Sequence, residues 1–415
     1  MKILHTADWH LGAKLENRSR EDEHAAALRW LLATIVAEKV NILIVAGDIF
    51  DAYNPPNYAE RLYYNFIKEL SKTDCHTAII CAGNHDSPPK LEAARAILDI
   101  FNVKIIAQIP DNFKKHIIEI YNPKNNELQA VVAAVPFLTD SFLRQSRPAE
   151  TSEERIAQMR KGIEAYYQKM AELCAVYTPK NIPIITTGHL AVAQADKNNR
   201  QRYNSIHLGT LDIVGTECFA PIFDYVALGH LHYPHKVGEN EHIRYAGSLI
   251  ALDFGETLHP QQVYVLEFAQ KKMLGYQSFA NPHKRDLLLW SGTAPEIEKK
   301  IANYQPANLE FKAWLRLEII SPNGYDTTLR DKIVQQIATL PLELIGEPRL
   351  RRQIDPNWEA QQEASEQIDL QTLQPKDIFA RKLQAMNYNE PKTAKLLDLF
   401  DELLIWHDEK QRNNE

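Results

Sequence analysis

The sequence predicts an α/β protein in which a sandwich of mixed sheets, flanked by helices, carries a smaller α+β unit and a helical tail. Two observations predict the sandwich. Over residues 1–280, short apolar runs of strand type alternate with segments whose apolar residues recur at helical spacing, the pattern of a layered α/β domain. Five of those apolar runs end in a short block of polar residues that can hold metal: Asp8-Trp9-His10, Gly47-Asp48-Ile49-Phe50-Asp51, Gly83-Asn84-His85-Asp86, Gly188-His189 and Gly229-His230-Leu231-His232. Open α/β sheets gather ligands at the carboxyl ends of their strands, where all five blocks fall.

Taken in order, the expected strands are Ile3-Leu4-His5-Thr6, Asn41 to Ala46, Thr77 to Ala82, Val103 to Ala107, Ala130 to Val135, Pro183 to Thr187, Asp224 to Leu228 and Val263 to Phe268, each short and rich in β-branched or apolar residues. Helices are expected over Glu21 to Val40, where Leu28, Leu31, Leu32 and Ile35 make a core stripe, over Ala59 to Ser71, and as a longer insertion over Glu153 to Tyr177. From about Asn281 the pattern changes to β-α-β-α-β: Arg285 to Trp290, Pro295 to Tyr304, Phe311 to Ser321, Thr327 to Leu340 and Leu342 to Leu350, punctuated by Pro282, Pro322-Asn323-Gly324 and Pro341. The expected parts are therefore 1–280, 281–352, a Gln- and Glu-rich linker 353–374, and a pair of amphipathic helices within 375–410.

Composition limits the function classes. The chain has 415 residues, a 45% hydrophobic content and a net charge of −7, ordinary for a globular protein. The charge is uneven: from Gln353 to Glu415 there are 13 Asp/Glu and 7 Lys/Arg, so the tail holds −6 and the rest only −1. The unit from His283 to Arg352 has 11 Lys/Arg against 9 Asp/Glu and ends in Arg349, Arg351 and Arg352. Cys75, Cys81, Cys174 and Cys218 lack C-x-x-C spacing and read as free thiols in a reducing compartment. The N-terminus enters a strand directly, without a signal-peptide apolar region, and no apolar run approaches 18 residues, so the expected location is the cytosol.

The chemistry follows from the residue types in the blocks. Asp8, His10, Asp48, Asn84, His189, His230 and His232 form an oxygen and imidazole set without thiolate, which suits a pair of divalent ions such as manganese, with magnesium as a second choice, better than a structural zinc. Asp48, leaving a strand, is the natural carboxylate bridge. His230 and His232 are two apart and project to one side of an extended segment. Glycines before the ligands let the backbone turn sharply. His85 follows Asn84 and sits beside the metals, either to protonate a leaving alkoxide or to orient a neighbour. Asp86 is expected to fix His85 by a hydrogen bond, and Asp51 to orient His85 or a substrate phosphate or simply to serve the turn. His5 and Trp9 read as packing residues; His207 and His235 lie near the blocks without being favoured as ligands.

These blocks, with Tyr245-Ala246-Gly247-Ser248 and Leu252-Asp253-Phe254-Gly255-Glu256, resemble the calcineurin-like metallophosphoesterase family, and within it the bacterial nuclease subunits that act with an ATPase bearing a long coiled coil. The resemblance implies that Asp8, His10, Asp48 and His232 hold one manganese, that Asp48, Asn84, His189 and His230 hold the other, and that His85 is the catalytic acid. It implies an exonuclease on double-stranded DNA ends that also cuts hairpins and single strands. Tyr233 departs from it, standing where a basic residue is also seen. Asp51 is followed by Ala52-Tyr53-Asn54-Pro55 rather than by the arginine that grips a phosphate monoester, which favours a diester over the alternative of a small-molecule or protein phosphatase. A non-catalytic scaffold for an ATPase is the rival outside the enzymes. A homodimer is expected through Leu62, Tyr63, Tyr64, Phe66 and Ile67, apolar on more than one helical face, with a second helix over Leu91 to Ile100. Phe379, Leu383 and Met386, and then Leu396, Phe400, Leu403 and Leu404, form the stripes by which the tail is expected to dock on the ATPase.

Overall fold

The computed structural model describes residues 1–143, 152–193, 214–306, 310–321 and 327–352, with a few helical positions between 383 and 400. His207, the linker 353–374 and most of the helix pair 375–410 lie outside the described residues. Two six-stranded mixed sheets are formed. The first runs Lys272–Ala280, Gln262–Ala269, Lys2–Thr6, Ile42–Ala46, Thr77–Cys81, Val103–Ile106, and its last four strands are parallel. The second runs His235–Val237, Asn240–Tyr245, Tyr225–Gly229, Ile184–His189, Leu128–Ala133, Ile117–Tyr121, with the four central strands parallel. The central strands read as unbroken apolar runs because both their faces are covered; every residue of Ile42–Ala46 and Tyr225–Gly229 is buried.

Ile3, Ile42, Ile44 and Ile79 of the first sheet pack against Val132, Ile185, Tyr225 and Ala227 of the second. The outer face of the first sheet (Leu4, Leu43, Val45, Ile80) receives the helices Glu21–Ala37 and Asn57–Leu70 through Leu28, Leu31, Ile35, Tyr63, Phe66 and Ile67. Ser152–Cys174 covers the second sheet through Ile163, Tyr167 and Met170. The expected sandwich is the observed one, a helix–sheet–sheet–helix stack.

Two expectations change. Of the apolar residues on Asn57–Leu70, Tyr63, Phe66 and Ile67 are consumed by the chain's own core, so only Tyr64 presents substantial apolar surface there. The helix expected over Leu91 to Ile100 is two short ones, Pro88–Glu92 and Arg95–Ile100, and exposes Ile97 and Ile100 with the neighbouring Phe101.

In the smaller unit, Leu287–Thr293, Ala313–Ser321 and Leu342–Leu344 form a parallel sheet to which Arg349–Arg352 adds, where the sequence pattern predicts a single last strand. Helices Ala294–Asn303 and Thr327–Ile337 cover it through Ile297, Ile333 and Ile337. Glu296 fixes the start of the first helix by accepting the Thr293 N–H at 2.7 Å. A buried charge cluster joins this unit to the sandwich. The Glu23 carboxylate accepts from Arg20 Nε and Nη2 at 2.7 and 2.6 Å and from Arg285 Nε at 2.9 Å. The Trp314 ring lies 4.3 Å from the Arg285 guanidinium and 5.6 Å from that of Arg20. All four cysteines are buried and free.

Candidate metal centre

Five parallel strands deliver the candidate ligands to one end of the sandwich. Asp8 follows Lys2–Thr6, Asp48 follows Ile42–Ala46, Asn84 follows Thr77–Cys81, His189 ends Ile184–His189 and His230 follows Tyr225–Gly229. Backbone bonds lace the first two loops together: Asp8 N donates to Gly47 O at 3.0 Å, His10 N to Asp48 O at 3.0 Å and Leu11 N to Ile49 O at 2.9 Å. Asp8, His10, Asp48 and His230 themselves adopt left-handed backbone, with φ of 51°, 45°, 49° and 98°. Such conformations persist in non-glycine residues only where the surroundings impose them. The sharp turning expected of the motif glycines is thus shared with the ligands. Gly47, at φ +99°, does turn, and a Cβ there would stand 2.1 Å from His189 Nδ1; Gly83 matters for closeness, since its Cβ would stand 2.1 Å from Asp48 Oδ1.

All seven side chains converge. Asp48 Oδ2 lies 3.4 Å from His10 Nε2 and 3.2 Å from His189 Nε2, between two groups of donors. On one side His10 Nε2 is 3.1 Å from His232 Nε2; on the other, Asn84 Oδ1 is 3.0 Å from His189 Nε2 and 3.1 Å from His230 Nδ1. Asp8, His10 and His232, and likewise Asp8, Asp48 and His189, bring one ligand atom each to within 4.8 Å of one another. Asp8, His10, Asp48 and His189 are buried.

The hydrogen bonds around this cluster test whether it fits cations. His10 Nδ1 donates to Asp51 Oδ1 at 3.1 Å, His232 Nδ1 to Glu256 Oε1 at 2.7 Å and His189 Nδ1 to the Ala46 carbonyl at 2.9 Å. Each outer nitrogen therefore carries the hydrogen, and each neutral ring turns a bare Nε2 lone pair inward. Two of those lone pairs then face each other across 3.1 Å, and the third faces the oxygens of Asn84 and Asp48. Acceptor opposed to acceptor is repulsive unless a proton or a cation lies between them. The donor set fits a pair of divalent ions.

Electrostatics of the metal-free chain agree. Burial opposes the charge of His189, but the adjacent Asp48 raises it to about 9; burial likewise opposes His232, which Glu256 and Asp8 raise to about 9. His230 is pushed down to about 3 by burial and by the charge of His189. Burial raises the Asp8 carboxyl. The Asp48 carboxyl, despite burial, is held below the usual range by His189 and His10. Protons occupy places where cations fit better.

Of the accessory residues, Asp86 departs from expectation. The Asp86 side chain is not the hydrogen-bond partner of His85. Buried behind the loops, its carboxylate accepts from Gly83 N at 2.8 Å, Phe50 N at 2.9 Å and Ile49 N at 3.1 Å, tying the second block to the third. A carboxylate with three backbone donors at hand satisfies them before it reaches outward. His85 is oriented instead by Asp51, whose backbone carbonyl accepts from His85 Nδ1 at 2.8 Å, while the Asp51 side chain holds His10. His85 N also donates to Asp48 Oδ1 at 2.9 Å, and its exposed ring lies 4.8 Å from that of His10. Glu256, which orients His232, is a functional residue that the sequence motifs do not single out; its only signal is its place in the loop Leu252 to Glu256. Its other oxygen accepts from Leu252 N at 2.7 Å. His5 is buried between Tyr225 Oη and the Leu228 carbonyl, and Trp9 is buried with its N–H on Thr6 Oγ1, both packing residues. His235 stacks on Tyr233 and its Nδ1 donates to the Tyr233 carbonyl, so it is not one of the converging side chains.

Comparison with known proteins adds the following. The family model for calcineurin-like phosphoesterases matches residues 1–234, and that for the type 5 capsule protein repressor C-terminal domain matches residues 283–387. The SbcD component of the nuclease SbcCD from Escherichia coli (strain K12) is 33% identical over 401 residues, covering 96% of this chain and 97% of that protein. The protein of the same name from Bacillus subtilis (strain 168) is 28% identical over 410 residues, covering 97% of each. That from Rhodobacter capsulatus is 31% identical over 303 residues, covering 71% of this chain and 73% of the relative.

Proposed function

The chain belongs to the calcineurin-like phosphoesterase family, among the SbcD components of SbcCD nucleases, and from that membership we propose that it is a DNA exonuclease on double-stranded ends and an endonuclease on hairpins and single strands. It works with an SbcC-type ATPase bearing a long coiled coil, in DNA repair, replication and recombination. The observation that carries the catalytic part is the cluster of inward-facing imidazole nitrogens around Asp48. Asp8, His10, Asp48 and His232 hold one divalent ion, and Asp48, Asn84, His189 and His230 the other. Manganese suits the oxygen and imidazole donors, with magnesium as the substitute. The bound pair supplies charge neutralisation at the scissile phosphate and a water activated near neutral pH.

His85 supplies the proton. With Nδ1 held on the Asp51 carbonyl, Nε2 is the nitrogen that gives its hydrogen to the departing 3′ oxygen. The absence of an arginine after Asp51 leaves nothing there to grip a terminal phosphate, which supports a diester over the phosphatase alternative. His85→Gln tests the assignment: metal content and DNA affinity stay, while manganese-dependent cleavage of linear duplex falls about 10²–10⁴-fold. Loss of metal in that variant would make His85 a ligand or its support. Faster turnover of a phosphate monoester than of DNA would favour the phosphatase.

Two partner surfaces belong to this reading. Tyr64 on Asn57–Leu70, Ile97 and Ile100 on Arg95–Ile100, and Phe101 just after it expose apolar surface, suited to a second copy of the chain, and a strictly monomeric chain at micromolar concentration would refute that. The tail within 375–410 captures the ATPase. Phe400→Glu abolishes capture and spares cleavage by the free chain if this is right.

A further inference from the structure

Beside the metal centre, four aromatic rings form a column that the proposed chemistry does not use. At its buried end the Tyr245 hydroxyl accepts from Val192 N at 2.7 Å and donates to the Leu190 carbonyl at 2.8 Å, so this ring is pinned. His235, its cross-strand partner, stacks on it at 4.8 Å with planes 15° apart. Tyr233 stacks on His235 at 4.2 Å and 13°, and His235 Nδ1 donates to the Tyr233 carbonyl at 3.0 Å. His259 leans on Tyr233 at 5.3 Å and 33°. The column begins in the core and ends at His259, which is exposed; next to it Leu258 is 84% exposed.

The turn that carries His259 is held by its own bonds. Asp253 Oδ1 accepts from Gly255 N and Glu256 N at 2.7 and 3.0 Å, and Gln261 Nε2 donates to the carbonyls of Glu256 and His259 at 3.0 and 2.7 Å. The same turn contains Glu256, whose carboxylate orients His232. One short segment thus places a candidate metal ligand and the open end of a preformed ring stack. An exposed leucine beside an exposed ring, on a turn fixed this firmly, is an apolar face whose ordering cost has already been met in folding.

We propose that His259, with Leu258 beside it, is a stacking platform for one unpaired nucleobase of the DNA strand that runs through the metal centre. This rests on the nuclease reading above. The class of ligand follows from position and chemistry: a strand whose phosphate lies at the Asp48 cluster carries bases past the neighbouring turn. A flat π face backed by three more rings receives any base without reading its identity. Tyr233, one residue after His232, occupies the middle of the column, so a tyrosine rather than a basic side chain at that position has a role here.

The test uses the full chain in EDTA, so that binding is measured without cleavage, with a fluorescent single-stranded thymidine oligonucleotide and an abasic oligonucleotide of the same length. Removing one base–ring contact is expected to weaken binding about tenfold. His259→Ala should therefore bind the thymidine strand about tenfold more weakly and the abasic strand as the wild type does, and His259→Trp should restore binding. Equal affinity of His259→Ala and wild type for the thymidine strand overturns the platform, as does an equal loss on both strands, which would mean a phosphate contact. Loss of ATPase capture by His259→Ala with DNA binding intact would make the surface a protein-docking site instead. Manganese-dependent cleavage of duplex DNA by the wild type separates the two readings: if cleavage occurs while His259→Ala binds normally, the platform alone fails; if the wild type neither binds nor cleaves DNA, the nuclease reading fails with it.

Discussion

Replacing Glu256 by glutamine tests what a residue outside the proposed ligand set contributes to metal affinity through His232. Glu256 offers two acceptors, one to His232 Nδ1 at 2.7 Å and one to Leu252 N at 2.7 Å. Glutamine keeps the shape but exchanges one oxygen for an NH2 donor, so one of those two N–H groups loses its acceptor. If the amide nitrogen faces His232, it donates to Nδ1 and moves the ring hydrogen to Nε2, where it blocks a cation. If it faces Leu252, a backbone donor is stranded and the turn loosens. Carboxylates placed this way behind histidine ligands are typically worth about 10–100-fold in metal affinity, or about 1.4–2.7 kcal/mol. Manganese titration by calorimetry should show one of two sites weakened by that factor. The site holding Asn84, His189 and His230 should keep its affinity, because none of them touches Glu256. Two sites of unchanged affinity in Glu256→Gln would refute the tautomer argument.

The remaining predictions concern pH, packing and the link between the two units. His189 and His232 of the metal-free chain are raised to about 9, so the stability they draw from their carboxylate neighbours is full below about pH 6.5 and is lost as pH rises through 9. Metal requires both rings neutral, so manganese affinity should climb with pH up to about 9, with about two protons released per chain near pH 7.5; calorimetry in buffers of different ionisation enthalpy measures that release, and none would contradict the assignment. Gly83→Ala forces a Cβ to 2.1 Å from Asp48 Oδ1, and metal analysis should find both proposed ions lost or greatly weakened, since Asp48 Oδ2 lies between the two groups of donors. Glu23→Ala leaves Arg20 buried without its anion and removes the Arg285 contact; urea unfolding should show a loss of about 3–5 kcal/mol, and a loss under 1 kcal/mol would mean the cluster is solvated.

The sequence determined by itself everything that depends on pattern along the chain. Apolar runs such as Ile42–Ala46 mark strands buried on both faces, and the polar blocks that end them place Asp8, Asp48, Asn84, His189 and His230 at one end of the sheets, because parallel strands share a carboxyl end. Elements with no such pattern stayed hidden. Lys272–Ala280 is mostly exposed and mixes apolar with polar residues without a buried face, and it pairs along its length with Gln262–Ala269 at the sheet edge. Tertiary structure alone decided the supporting residues. Asp86 stands beside His85 in the chain, but three backbone donors, Ile49 and Phe50 of the second block and Gly83 of its own, claim its carboxylate. Glu256 lies 24 residues from the His232 it orients, and Asp51 reaches His10 from 41 residues away. The candidate ligands are written in local motifs; their orientation depends on hydrogen bonds between distant loops, and those exist only once the two sheets have packed.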